Sequence, residues 1–283
     1  MPESSLHPRV EFDLQSRASV FGADEVIRVA AGGEAFWDWY ARAIRPDRPF
    51  RLESVPGVPA YPVSNSKVAL WYSGGVESTY TLDEVRHLEP VPLHIEDYDV
   101  FRSDHRRIGQ IHFICAALGS AAGYSRIFLG VERDDLLLSH TPQGRSYLER
   151  TPAFIEAWSR YQPQHALETV CGHLYKEQIM LRLKERGLRI TGTCDRIRGG
   201  EWCGDCYKCF EAFYTSKAVG LDLGIRLSRV AIHRYLAEFT RYVQSEFRDN
   251  YNNAYQHYVR LQILYRLRFE PEVDGYERAI DAS

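Results

Sequence analysis

The stretch KVALWYSGGVEST, residues Lys67 to Thr79, decides how the chain is read. Its first six residues, Lys67 to Tyr72, form a short and mostly apolar run, the pattern of a buried strand. Ser73, Gly74 and Gly75 follow at once, and Val76 to Leu88 can run as a helix. A strand that turns through two glycines into a helix is a ready phosphate cradle. Backbone N–H groups and the positive end of the helix converge there on an anion. Residues without a Cβ let the backbone approach it closely. Ser73, Ser78 and Thr79 add hydroxyls, and Val76 adds a backbone amide. Glu77 offers the oxygen ligand that a hard cation such as Mg²⁺ prefers. The plain alternative is a strand-to-helix turn capped by serine. The Walker A pattern GxxxxGK[ST] does not occur in the chain.

The surrounding text repeats the alternation. Pro92 to Ile95 is a second candidate strand, followed by Glu96, Asp97 and Asp99. Between His105 and Tyr124, Ile108, Ile111, Ile114, Cys115, Leu118 and Ala122 recur at helical spacing. Arg126 to Val131 is a third candidate strand, ending in Gly130 and Val131. Pro152 to Tyr161 and Leu174 to Arg186 read as helices. Strands alternating with helices predict an α/β domain, a parallel sheet with flanking helices. We place this domain at 65–220. Residues 1–64 carry no strong period except a short amphipathic helix at Glu34 to Ala43. Pro46, Pro49, Pro56, Pro59 and Pro62 then read as an extended connector, so 1–64 is expected to be an N-terminal extension packed on the main domain. Residues 221–283 show two apolar stripes, one from Ile232 to Phe247 and one from Tyr251 to Leu267. They predict a helical C-terminal region whose stripes serve the core or a homodimer.

Cys194, Cys203, Cys206 and Cys209 fall within one short window, spaced x8, x2 and x2. Tetrahedral zinc takes four such ligands, and a CxxCxxC turn delivers three from one loop. Gly199, Gly200 and Gly204 let that loop wrap an ion. An iron–sulfur cluster takes the same four ligands. A closed Cys₄ zinc site at 194–209 has no open coordination position, so its role is structural. Cys115 and Cys171 are left over as core residues.

The chain has 283 residues and a net charge of -3. That balance disfavours sequence-independent nucleic-acid binding. Aromatics reach 13% and no low-complexity run occurs, so disorder is not its main state. No run of 18 apolar residues occurs and residues 1–17 have no apolar signal region, which leads to the expectation of a cytoplasmic protein without a membrane partner. Clustered cysteines in a reducing compartment point to a metal before they point to disulfides.

The segment Ser73 to Thr79 (SGGVEST) resembles the SGGxDS signature of the PP-loop ATP pyrophosphatases, with Glu77 where that family usually has Asp. The cysteine spacing is similar to that of the 7-cyano-7-deazaguanine synthases within that superfamily. So is the order of landmarks: Ser73 to Thr79, Arg106 and Arg107, Gly130, Lys176, then Cys194 to Cys209. The resemblance covers about residues 65–220. It implies a PP-loop (HUP-type) fold, binding of ATP with Mg²⁺, and structural Zn²⁺ on Cys194, Cys203, Cys206 and Cys209. It also implies adenylation of a small carboxylate substrate with release of pyrophosphate, and an amine or ammonia donor that displaces AMP. Lys176 and Arg107 take the catalytic positions by that order, and Gly130 joins the nucleotide site. The cysteine loop from Trp202 to Cys209 is also similar to that of the ATP-dependent epimerases acting on the terminal glutamate of UDP-N-acetylmuramoyl-dipeptide, which would likewise activate a carboxylate.

Other charged residues divide between two readings. Arg102, Asp104, His105, Arg106 and Arg107 are a solvated helix start, or one arginine faces a triphosphate or carboxylate, since its fork matches both. Asp134 and Asp135 follow the third strand at the end where open α/β sheets bind ligands, or they are plain surface acids. Lys176 with Glu177 is an exposed pair or a phosphate contact. His112 lies in an apolar stripe and reads as a helix residue; His173 stays ambiguous. Two rival functions remain. A tRNA-modifying PP-loop enzyme would want a basic face and a cysteine pair beyond the metal loop. A non-catalytic nucleotide-binding module is favoured by Glu77.

Overall fold

The apolar run at Lys67 to Tyr72 contains one of the two inner strands of a parallel sheet in the computed structural model. Described there are residues 6–22, 24–47, 49–94, 111–132, 152–190 and 202–234. The elements are α1 (Pro8–Phe21), β1 (Val26–Ala30), α2 (Glu34–Ile44), β2 (Arg51–Val55), β3 (Ala69–Trp71), α3 (Val76–Val85), β4 (Val91–Leu93), α4 (Ile111–Ala121), β5 (Arg126–Phe128), α5 (Pro152–Tyr161), β6 (Ala166–Glu168), α6 (Lys176–Glu185) and α7 (Tyr207–Ala218). The protein is α/β, with parallel sheets and flanking helices.

The four-stranded sheet runs β4-β3-β5-β6, and every pair in it is parallel. Ala69 pairs with Val91 on one side of β3 and with Ile127 on the other. Strands flanked on both sides and covered on both faces must be apolar throughout, and Ala69, Leu70 and Trp71 are all buried. From β3 the chain continues to β4 on one side; from β5 it continues to β6 on the other. The neighbours β3 and β5 therefore mark the topological switch point, outside whose carboxyl ends open α/β sheets bind ligands.

The chain divides into two compact units. The first comprises Met1–Ser73, Thr81–Val131 and Leu138–Gly172. Here the N-terminal segment holds more structure than its sequence suggests. The helix expected at Glu34 to Ala43 is present as α2, but α1, β1 and β2 were not expected. Val26 to Ala30 pairs in parallel with Arg51 to Val55, a small βαβ unit of its own. Residues 56–64, with Pro56, Pro59 and Pro62, form neither helix nor strand.

Aromatic side chains pack this unit. Phe36 stacks on Tyr161 with ring centres 4.6 Å apart. It meets Trp158 edge to face at 5.9 Å, and Trp37 meets Phe113 at 5.7 Å, so α2, α4 and α5 share one core. Beside it lies a polar network. The carboxylate of Asp13, fully buried on α1, accepts from Tyr61 Oη and Tyr161 Oη at 2.9 Å each and from Arg9 Nε at 3.3 Å. Arg9 also donates to Tyr161 Oη. The donors around Asp13 offset part of the cost of burying its charge, and burial still holds its carboxyl above the ordinary value.

The second unit comprises Gly74–Tyr80, Glu132–Leu137 and His173–Ser283. Helices α6 and α7 pack together within it. Tyr80, buried at the end of the glycine-turn segment, accepts a hydrogen bond from Arg182 Nη1 at 2.7 Å, and the Arg186 guanidinium lies 5.2 Å from its ring centre. Residues 229–234 are helical; the first C-terminal stripe from residue 235 onward lies outside the described residues. The second stripe, from Tyr251 to Leu267, lies outside the described residues. Among the described residues, no helix is long and apolar enough to cross a membrane.

Candidate functional site

The second unit brings the glycine turn, a lysine and a cysteine loop into one body. At the turn, Gly74 has φ 74°, a left-handed conformation that glycine adopts without a Cβ penalty. Gly74, Gly75 and Val76 are buried, whereas Ser73 is exposed. Helix α3 opens at Val76, with Thr79 N–H donating to Gly75 O at 2.9 Å and Ser78 Oγ donating to the same carbonyl at 3.3 Å. The amides at the head of α3 thus lie at the positive end of the helix. Thr79 Oγ1 is buried and has no hydrogen-bond partner among the described residues.

Lys176 is the first residue of α6, where the helix dipole opposes a cation. Among the described residues, the compensation comes from three carboxylates. Its Nζ stands 3.4 Å from Glu77 Oε1, 3.0 Å from Glu132 Oε1 and 3.2 Å from Glu211 Oε2. Glu77 comes from the first turn of α3, Glu132 from the segment after β5, and Glu211 from α7. The start of α6 is fixed separately, Tyr175 N–H donating to Gln178 Oε1 at 3.0 Å. The side chains of Lys176 and Glu132 are 18% and 4% exposed, so this pair is largely shielded from water and screens little. Burial pushes the Glu177 carboxyl above its ordinary value, and the nearby Glu211 charge adds to the rise against the pull of Lys176. Among the described residues, Lys176 Nζ thus lies within ion-pair distance of three carboxylates, an arrangement that holds the ammonium in place.

The cysteine loop lies on the same body. Cys206 precedes α7 and Cys209 lies in its first turn. The Cys209 sulfur is 3.7 Å from Cys203 Sγ and 3.5 Å from Cys206 Sγ, and all three sulfurs lie within 4.8 Å of one another. A tetrahedron with metal–sulfur bonds of about 2.3 Å has sulfurs about 3.8 Å apart, so this spacing fits a thiolate-bound metal such as zinc. Asp205 N–H points at Cys203 Sγ at 3.3 Å, a donor that would stabilise a thiolate. Burial drives the Cys209 thiol well above the usual thiol range, so metal binding there must release a proton. Gly204 gives the loop its shape. Its φ is 66°, and a Cβ on it would fall 1.8 Å from Arg226 O. Gly204 O accepts from Ser228 N–H at 2.8 Å, and Ser228 Oγ donates to Asp205 Oδ1 at 2.7 Å, tying the loop to the following segment.

Of the residues singled out from sequence, Ser73 to Thr79, Lys176, Cys203, Cys206, Cys209 and Gly130 lie in the described structure. Lys176 meets Glu77, and the three cysteines meet one another. Gly130 is half-buried in the chain between β5 and Glu132. Cys194, Arg107, Arg106, Asp134 and Asp135 lie outside the described residues. His112 is buried on α4, as its stripe implied, and Cys115 and Cys171 are buried in the first unit. Sequence reasoning missed Glu132 and Glu211. Glu132 carried one usable signal, its place just past the third strand; Glu211 carried only its position two residues after a cysteine.

Comparison of the chain with protein-family models, with curated proteins and with solved structures returned no match.

Proposed function

We propose that the protein binds ATP with Mg²⁺ at the turn from Ser73 to Thr79 and adenylates an oxygen of a small acid, releasing pyrophosphate. The observation that carries this reading is Lys176 Nζ at 3.4 Å from Glu77 Oε1. The order of landmarks in the resemblance makes that lysine a candidate phosphate contact, and its Nζ lies beside the first turn of the glycine-turn helix. The sheet order, with the glycine turn following the strand at the switch point, supports a PP-loop type of fold.

On this reading the amides of Gly74, Gly75 and Val76 hold the phosphates, with Ser73, Ser78 and Thr79 as further donors. Glu77 assists Mg²⁺, and Lys176 turns from its carboxylates to the phosphoryl oxygens as charge develops there. The chemistry answers a simple need: a carboxylate is a poor electrophile, and AMP is a good leaving group. An amine or ammonia then displaces AMP. Cys203, Cys206 and Cys209, with Cys194 as fourth ligand, hold zinc as a structural ion.

The test is pyrophosphate release from ATP with a panel of small carboxylic acids. Expected is acid-dependent release that the Gly75→Ala, Ser78→Ala double variant abolishes; undiminished turnover in that variant overturns the site. Tight ATP binding with no release under any acid would instead make the protein a nucleotide-binding module. Elemental analysis should find about one zinc per chain. Stoichiometric iron with visible absorbance would replace zinc with an iron–sulfur cluster.

A further inference from the structure

We infer that Glu211 is a positioning residue that couples the cysteine loop to Lys176, so that metal on the loop sets where the lysine's charge is held; the inference rests on the nucleotide-site reading of Lys176 above. Among the described residues, the carboxylates around Lys176 come from three separate segments, and Glu211 is the one on α7. That helix begins inside the cysteine loop: Cys206 precedes it, Cys209 lies in its first turn, and Glu211 follows two residues later. A helix rises about 1.5 Å per residue and does not stretch, so a shift of the first turn moves Glu211 with it. The Glu211 carboxylate is 36% exposed and 3.2 Å from Lys176 Nζ. Glu132, by contrast, is buried and belongs to no part of the cysteine loop. Glu132 is the fixed partner, and Glu211 is the partner that answers to the metal.

The loop is also held from its far side. Gly204 O and Asp205 Oδ1 are bonded to Ser228, which begins the segment leading into the helical turns at 229–234. The three sulfurs already stand at a spacing that fits a bound metal, so a metal would hold the first turn of α7 where Glu211 reaches Lys176, and its removal would release that turn.

The test is competitive acylation of the full chain with acetic anhydride, read at Lys176 by peptide mass spectrometry. Wild type, Glu211→Gln and Glu211→Asp are compared as zinc-loaded protein and after chelation. In zinc-loaded protein, Glu211→Gln should raise the rate at Lys176 about threefold, the effect of losing a partly exposed ion pair, and Glu211→Asp should restore it. Chelation should raise the rate in wild type and add nothing in Glu211→Gln. An unchanged rate in Glu211→Gln, or an equal rise on chelation in both proteins, overturns the coupling. Where circular dichroism shows helix loss on chelation, the rise at Lys176 counts for the coupling only if it is absent in Glu211→Gln at equal helix loss; a rise in both overturns it. Protection of Lys176 by ATP–Mg²⁺ is scored separately. A rate raised in Glu211→Gln without ATP protection keeps the coupling and removes the nucleotide reading; protection without a Glu211 effect does the reverse.

Discussion

Lys176 Nζ lies 3.0 Å from Glu132 Oε1, and the carboxylate that receives it is 4% exposed. The two residues come from α6 and from the segment after β5, so the pair joins distant parts of the chain within one unit. Breaking such a pair takes from the ammonium its most buried partner and leaves it Glu77 and Glu211. Glu132→Ala should cost about 1–3 kcal/mol in urea unfolding, and Glu132→Gln, which keeps an acceptor for the ammonium, clearly less. Equal losses in the two variants would mean that the contact is packing rather than charge.

Glu177 predicts a pH dependence. Burial raises its carboxyl above the ordinary 4.5 in the folded protein. A raised folded value means that the folded state holds its proton more tightly than the unfolded state. The associated stability is fully present below about pH 4.5 and is lost as pH rises through the folded value. Its Oε2 is buried without a hydrogen-bond partner among the described residues, which agrees in sign. Glu177→Gln should flatten this part of the stability curve and raise the melting temperature at pH 7. A variant curve parallel to wild type from pH 4 to 7 would contradict the assignment.

Gly204→Ala combines a left-handed φ of 66° with a Cβ placed 1.8 Å from the Arg226 carbonyl oxygen. The conformational part alone costs about 1–2 kcal/mol, and relieving the overlap must separate the loop from Arg226. The expected result is a lower melting temperature together with weaker retention of zinc against a chelator. Full retention with normal stability would show that the loop does not need this backbone.

Tyr61→Phe tests the buried carboxylate of the first unit. Tyr61 Oη donates to Asp13 Oδ2 at 2.9 Å, one of several donors to a fully buried acid. Removing it should cost about 1–3 kcal/mol in chemical unfolding. Asp13→Ala in the same background should then cost less than in wild type, because the two residues belong to one network.

How far these features could be read in advance depended on the kind of signal each carried. β3, β5, α5 and α6 showed as apolar runs or stripes and are present near their expected bounds. Helix α1 did not, because the face it buries includes Arg9, Asp13, Ser16 and Arg17. A search for apolar periodicity cannot see a helix whose inner face is polar. β6 is three residues long, Ala166–Glu168, too short for alternation to register. The 2-stranded pairing of Val26–Ala30 with Arg51–Val55 was hidden by the prolines at 46 and 49 that flank it.

By itself the sequence determined the α/β alternation, the glycine turn at the head of α3 and the cysteine triplet, because each is a short-range pattern set by neighbouring residues. What only the tertiary structure decided is which charges meet. Glu77, Glu132 and Glu211 reach one ammonium from three segments of the chain. Glutamate is common on any surface, and nothing local distinguishes these three from the rest. Their role follows from Coulomb attraction acting once folding has brought them within hydrogen-bonding reach of Lys176 and removed much of the water between them.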